Sequence, residues 1–377
     1  MLLLFIIAYD IIPHYFFNIL FVLAKIITGD DFMLKNLYAV FFILYLFISS
    51  SSIIMNQNSI YGAETKSNLT GSKVCLVIVD SLKYESAIDM PHLMALANSK
   101  YGTIYKGICE LPTNSRPGYE RLLTGSNTAV NGIVHNMFIF PALTPDLFYI
   151  AKKQNLTTSA SAFIWFKELF PLCIDHGYFY IKDSNALYYS KLFIEKYNPD
   201  LIVIHFLSTD SAAHKYGGNS LQYQKECIRA DTSVKGIWDL VKNKGYFMIV
   251  TADHGHRDNG NHGDSSCSSM EIPVVFLSSK LNAYNINNNS KTVSQLDIAP
   301  TISTILGIPK TIYMTGSSLI GNNDDLKILR NSYLPDSSGN FQKLFIITSY
   351  ITGIVIAIYT AVYISSYLLM LKLLKGK

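Results

Sequence analysis

The stretch Phe247-Met248-Ile249-Val250-Thr251-Ala252-Asp253-His254-Gly255-His256 decides the reading of this chain. An apolar run of strand length leads into a carboxylate and an imidazole, and residues 255–263 beyond it are rich in Gly and Asn and carry His256 and His262. The same pattern recurs on both sides of it. Residues 74–79 are apolar and end on Asp80, residues 201–206 soon reach Asp210, and residues 272–277 form a further apolar run. Their apolarity is uniform rather than alternating, which predicts strands covered on both faces, as in a parallel sheet. Residues 87–99, 221–242 and 296–306 between and beyond these runs can form helices, the last stopped by Gly307 with Pro309 just past it. The expected class is therefore α/β, with a mostly parallel central sheet and helices on both faces.

Open α/β sheets bind ligands beyond the carboxyl ends of their strands. One Asp at such an end is ordinarily a turn or helix-cap residue. Three are harder to assign that way, because two of them have histidines at ligand spacing. Asp210 and His214 stand at i and i+4, which on a helix puts their side chains on one face about 6 Å apart. Asp253 and His254 are adjacent. Mixed carboxylate and imidazole donors suit Zn²⁺, Mn²⁺ or Fe rather than Ca²⁺ or Mg²⁺ alone. Three Asp and three His make two divalent ions a natural solution, and a pair of ions about 4 Å apart can clamp a phosphoryl group and activate its nucleophile.

Composition frames this chemistry. Of the 377 residues, 49% are hydrophobic and only 15% charged, against a usual charged share of about 25%. The deficit is concentrated at the ends, since residues 36–63 and 344–371 contain no Asp, Glu, Lys, Arg or His. Residues 344–371 are long enough to span a bilayer, as are residues 37–55, although the Ser49-Ser50-Ser51-Ser52 tract would also suit the polar end of a signal peptide starting at Met33. Residues 1–36 read as an extra membrane helix or a mis-assigned start, followed by a short loop. Lys35 before one span and Lys372, Lys375 and Lys377 after the other predict cytoplasmic flanks, with the middle of the chain on the extracytoplasmic side. The expected order is then a linker over 56–72, a catalytic domain over 73–320, a tether over 321–343, the span 344–371 and a basic cytoplasmic tail over 372–377. The small net charge of +4 is scattered, which argues against a nucleic-acid-binding surface. Five cysteines without a CxxC pair indicate no zinc ribbon.

At this point the residues carry a resemblance. Val79-Asp80-Ser81-Leu82, Pro112-Thr113-Asn114-Ser115-Arg116-Pro117-Gly118-Tyr119, Leu123-Thr124-Gly125, Ser208-Thr209-Asp210 with His214, Thr251-Ala252-Asp253-His254-Gly255 and His262-Gly263 occur in the order seen in the alkaline phosphatase superfamily. The set most resembles the type I phosphodiesterase/nucleotide pyrophosphatase branch and the ethanolamine phosphate transferases of GPI-anchor synthesis. The resemblance implies an alkaline-phosphatase-like sheet and two divalent ions, Zn²⁺ or Mn²⁺. Asp210, His214 and His262 would hold one ion, and Asp80, Asp253 and His254 the other. Ser115 matches the hydroxyl nucleophile that contacts the second ion and is transiently phosphorylated; Thr113 is a rival by composition only. Asn136, in Gly132-Ile133-Val134-His135-Asn136, matches an asparagine that steadies the phosphoryl oxygens. His256 stands where relatives often carry an apolar residue and is expected to be a solvated loop histidine rather than a spare ligand. His92, His135, His176 and His205 have no partner spacing and default to structural roles. Pro117 followed by Tyr119 departs from the formylglycine sulfatase pattern.

Three functions compete. The first is a membrane-anchored, outward-facing metal-dependent phosphodiesterase or pyrophosphatase acting on a phosphodiester or phospholipid-type substrate. The second is a phosphotransferase that moves a headgroup such as phosphoethanolamine, which Ser115-Arg116-Pro117-Gly118 and Gly260-Asn261-His262-Gly263 favour. A catalytically silent binding module is the third, and the complete ligand set argues against it. Specificity is expected in the loops over 137–195, where Trp165, Phe166, Tyr178 and Tyr180 would line a pocket or pack in the core.

Overall fold

A computed structural model describes residues 72–321 except 139, 181, 183–184, 285 and 287–291. The described residues belong to one compact unit. The expected membrane spans, both flanks, most of the linker and the tether beyond residue 321 lie outside the described residues. Among those described, no helix is long and apolar enough to cross a membrane.

Eight strands form one sheet: β1 Lys73–Val79, β2 Gly102–Ile108, β3 Thr158–Phe163, β4 His176–Tyr180, β5 Leu201–Phe206, β6 Tyr246–Thr251, β7 Glu271–Ser278 and β8 Thr292–Ser294, in the order β4-β3-β5-β1-β6-β7-β2-β8. β1 lies in parallel register between β5 and β6, with Ile78 opposite both His205 and Thr251. β7 runs antiparallel to β6 and to β2, so the strand expected at 272–277 exists but is reversed. Its apolarity gave no warning, because burial on both faces makes a strand uniformly apolar whichever way it runs. The reversal of β7 restores β2 to the direction of β1, and the carboxyl end of β2 therefore opens on the same rim as those of β5, β1 and β6.

The two faces of the sheet divide the side chains of β1. Val74, Leu76 and Ile78 enter one core cluster, and Cys75, Val77 and Val79 the other. On the first face pack Tyr119, Leu122 and Leu123 of α2 (Ser115–Thr124), Phe166 of α3 (Ile164–Leu169) and Ile298, Ile302 and Ile305 of α7 (Ile298–Leu306), which ends on Gly307 at φ +67. On the second face pack Leu93 and Ala97 of α1 (Pro91–Ala97), Phe193 of α4 (Ala186–Lys196), Ala212 and Ala213 of α5 (Ser208–Tyr216) and Tyr223, Val234 and Trp238 of α6 (Leu221–Val241). Each fully buried large side chain contributes roughly 1.5–3 kcal/mol. The helix expected over 87–99 begins anew at Pro91, which lacks an N–H and suits a first helical turn; the Asp231 carboxylate accepts from the His92 and Leu93 N–H groups at 2.9 and 2.7 Å.

Candidate metal centre

Four strand ends feed one rim. Asp80 follows β1, Asp210 lies in the first turn of α5 after β5 with His214 one turn on, Asp253 and His254 follow β6, and Ser115 opens α2 after β2. The helix carrying Ser115 crosses the β6 loop at its closest approach, where a Cβ on Gly118 would meet the Asp253 carbonyl oxygen at 2.6 Å. All eight residues singled out in the sequence, Ser115 and Asn136 included, converge here.

Two of the expected carboxylate ligands have one oxygen fastened and the other without a partner, and three histidines have Nδ1 fastened. Asp80 Oδ2 accepts from the Tyr119 hydroxyl and lies 3.0 Å from His205 Nε2, whereas its buried Oδ1 has no partner. Asp253 Oδ1 accepts from the Ser81 N–H at 3.1 Å, and its buried Oδ2 is likewise unpartnered. His254 Nδ1 lies 2.8 Å from the Gly255 carbonyl, His262 Nδ1 2.8 Å from that of Thr113, and His214 Nδ1 3.1 Å from that of Gly260. A carbonyl can only accept, so each Nδ1 carries the proton and each Nε2 presents a lone pair, the usual arrangement of a ligating imidazole. His254 Nε2 lies 3.1 Å from Ser115 Oγ, 3.3 Å from Asp253 Oδ2 and 3.7 Å from Asp80 Oδ1. His214 Nε2 and His262 Nε2 are 3.0 Å apart and lie 3.5 and 3.8 Å from Asp210 Oδ1.

Three carboxylates crowd this rim, and among the described residues no Lys or Arg pairs with any of them. Burial, reinforced by the charge of Asp210, pushes Asp253 up to about 8. Burial pushes His254 down to about 4, with His262 adding to the effect, and His256 down to about 3. Neutral imidazoles beside under-compensated carboxylates, with lone pairs converging, fit divalent cations. The donors fall into two groups whose atoms lie within 4.8 Å of one another: Asp80, Asp253 and His254 in one, and Asp210, His214, His262 and also His256 in the other.

His256 is fully buried, not a solvated loop histidine as expected from the sequence. The loop around it folds tightly, with Gly255 so close to the next segment that a Cβ would meet the Ser268 carbonyl oxygen at 2.0 Å. Two further residues carry weight that spacing could not reveal. His205 has no ligand partner along the chain, yet its place on β5 opposite Ile78 sets it against Asp80. Ser81 sits at φ +60, a costly conformation for a residue with a Cβ. There its hydroxyl donates to Asp210 Oδ1 at 2.6 Å while its N–H serves Asp253, so one strained residue ties both clusters together. The only sequence signal for Ser81 is its position directly after a strand-end Asp.

Around Ser115, Asn136 Oδ1 accepts from the Arg116 N–H at 3.0 Å, which orients the Asn136 amide beside the first turn of α2. Of the aromatic residues assigned to the specificity loops, Phe166 is core, packed on Tyr119 and His205, and Tyr180 is buried with its hydroxyl on the His205 carbonyl. Tyr178 stacks on Tyr189 with centroids 3.6 Å apart. Trp165 remains near the helix that carries Ser115, with the Arg116 guanidinium 4.5 Å above its ring.

The mostly parallel sheet delivers two donor clusters and a serine to one rim, and parts of this chain are similar to alkaline-phosphatase-like metalloenzymes. Residues 74–170 match the type I phosphodiesterase/nucleotide pyrophosphatase family and residues 182–310 the metalloenzyme superfamily. Among curated relatives, GPI ethanolamine phosphate transferase 2 of Kluyveromyces lactis is 26% identical over 63% of this chain and 35% of its own length. The catalytic subunit of human GPI ethanolamine phosphate transferase 3 is 22% identical over 63% of this chain and 24% of its length. The chain thus spans about a third or less of these relatives. Among solved structures, murine ectonucleotide pyrophosphatase/phosphodiesterase 5 superposes with a TM-score of 0.55 at 12% identity, covering 66% of this chain and all of that one. The C-terminal periplasmic domain of EptC from Escherichia coli, in complex with Zn, superposes with a TM-score of 0.51 at 15% identity, covering 67% of this chain and 87% of that one.

Proposed function

We propose that this protein is a membrane-anchored, outward-facing enzyme that cleaves a phosphodiester through a phosphoserine intermediate on Ser115, with two divalent ions, Zn²⁺ or Mn²⁺, held by the two clusters. The observation that carries this reading is the placement of Ser115 Oγ 3.1 Å from His254 Nε2, beside a donor set in which Asp80 Oδ1 and Asp253 Oδ2 are buried without a partner. Asp80, Asp253 and His254 would hold one ion with Ser115, and Asp210, His214 and His262 the other. When bound, the ions supply Lewis acidity at the phosphoryl oxygens and charge stabilisation for the serine alkoxide and the leaving oxygen.

The remaining work falls to the chain itself. Ser115 stands at the N-terminus of a helix of 10 residues, where the helix dipole favours negative charge on its oxygen. The Asn136 amide, oriented through its Oδ1, has its N–H groups available for a non-bridging phosphoryl oxygen. Ser115 Oγ bonds to phosphorus, the bond from phosphorus to the first alcohol oxygen breaks, and that alcohol departs with a proton. A second hydroxyl then attacks the phosphoserine and releases Ser115. If the second hydroxyl belongs to water the reaction is hydrolysis, and if it belongs to a glycan or lipid it is transfer.

Transfer of a phosphoethanolamine-type group is supported by the sequence relatives, which are GPI ethanolamine phosphate transferases at 22–26% identity. In that reaction Ser115 would take phosphoethanolamine from phosphatidylethanolamine and release diacylglycerol. Incubation of the full-length chain with headgroup-labelled phosphatidylethanolamine and membrane extract separates the readings. A labelled acceptor marks transfer, released phosphoethanolamine alone marks hydrolysis, and full turnover by Ser115→Ala with either outcome overturns the proposed nucleophile.

A further inference from the structure

We infer that His256 is a fourth protein ligand of the ion assigned to Asp210, His214 and His262, giving that site three imidazoles and one carboxylate. The inference rests on the metal-dependent reading above. Asp210 Oδ1 provides a common reference point. It lies 3.5 Å from His214 Nε2, 3.7 Å from His256 Nδ1 and 3.8 Å from His262 Nε2. Donors that share a tetrahedral ion at bond lengths of about 2.0–2.1 Å stand roughly 3.3–3.4 Å apart. His256 therefore occupies the same relation to Asp210 as the two histidines that the sequence pattern already assigns.

The loop builds this relation. The turn that runs from Arg257, closed by Arg257 N–H to the Asn261 carbonyl at 2.9 Å and Gly260 N–H to the Arg257 carbonyl at 3.2 Å, brings His256 and His262 together across it. Their ring centroids are 5.1 Å apart, and that of His256 is 4.8 Å from that of His214.

The competing role for His256 is to hold Ser81, whose Oγ is 3.1 Å from its Nδ1. Ser81 has one hydroxyl hydrogen, and it is directed to Asp210. A bond between Ser81 and His256 therefore requires the proton on Nδ1, the tautomer that cannot ligate through Nδ1, and the buried Nε2 lacks a hydrogen-bond partner in either tautomer. Ligation requires the opposite tautomer, with the Nδ1 lone pair facing the ion. Four protein donors fill a tetrahedral shell, so a substrate oxygen would enter as a fifth ligand, and the added nitrogen biases the site away from Mg²⁺ and Ca²⁺.

Cobalt substitution of the full-length chain in detergent tests this directly, because each imidazole bound to Co²⁺ shows one hyperfine-shifted, solvent-exchangeable N–H line in the proton NMR spectrum. Four lines are expected, from His214, His254, His256 and His262. Three lines would overturn the inference and leave the metal centre standing, whereas none would overturn the metal-dependent reading itself. His256→Met should lose one line and weaken one of two Co²⁺ affinities by at least roughly tenfold in chelator competition. Unchanged lines and affinities in that variant would overturn the inference; should the variant not fold, the line count of the natural chain decides.

Discussion

Asp80 shows how a single carboxylate is prepared. One oxygen is occupied by Tyr119 and His205, and the other is buried without a hydrogen-bond partner. Burial, compounded by Asp80 and Asp253, holds the Tyr119 phenol far above its ordinary range, so it stays a donor. Tyr119→Phe should weaken metal binding about 10–100-fold with the fold intact, read by chelator competition alongside circular dichroism. Ser115→Ala should lower turnover of a p-nitrophenyl phosphodiester by about a thousandfold, some 4 kcal/mol of transition-state stabilisation, while metal content falls far less. Asn136→Ala should cost about 10²–10³-fold in the same assay.

The residue scale also sets a pH dependence. In the metal-free protein Asp253 is raised to about 8 and holds its proton at pH 7, while His254 and His256, lowered to about 4 and 3, are already neutral. Ion binding needs the carboxylate. Zinc titration near pH 7 should therefore release about one proton, measured by calorimetry in buffers of different ionisation enthalpy, and the release should vanish above pH 9. Affinity should fall as pH drops below 8, and more steeply once the histidines begin to charge.

At the scale of elements, the centre depends on how α2 and the β6 loop interlock. Gly118→Ala would place a methyl 2.6 Å from the Asp253 carbonyl oxygen, forcing α2 away from the loop after β6. A loss of about 1–3 kcal/mol in denaturant unfolding is expected, with weaker metal binding at the Asp253 cluster. Buried Arg121 anchors the same interface from below. It donates to Gln295 Oε1 at 2.8 Å, and the Gln295 side-chain amide donates to the Asp253 carbonyl at 2.6 Å. Strands β1, β5 and β6 were legible as apolar runs because they are buried on both faces and built almost wholly from apolar residues. β2, with alternating partial burial, and the outer strands β3 and β4, with Ser, Gly and His among their residues, carry no such signal. The two-residue motifs at strand ends were legible for the same reason that they work, since each must stand at a rim.

For the molecule as a whole, two ions bridging loops from β1, β5 and β6 would hold the rim together. Chelation should lower the unfolding temperature, and restoring ions at about 100-fold over their Kd should return roughly 2.7 kcal/mol per site. Equal unfolding temperatures with and without chelator would contradict an ion-held rim.

The sequence by itself determined the fold class, the three strand-end carboxylates, the histidines at ligand spacing and, through its ordered motifs, the place of Ser115. Those signals are local, because strand ends, i to i+4 pairs and loop motifs are written in consecutive residues. Only the tertiary structure decided the reversal of β7, the capture of Asp80 by His205 across the sheet, the role of Ser81 as a tie between clusters and the burial of His256 beside Asp210. Each of these depends on which strands become neighbours and how tightly one loop turns, and a histidine's availability as a ligand follows from what surrounds it in space, not from its spacing along the chain.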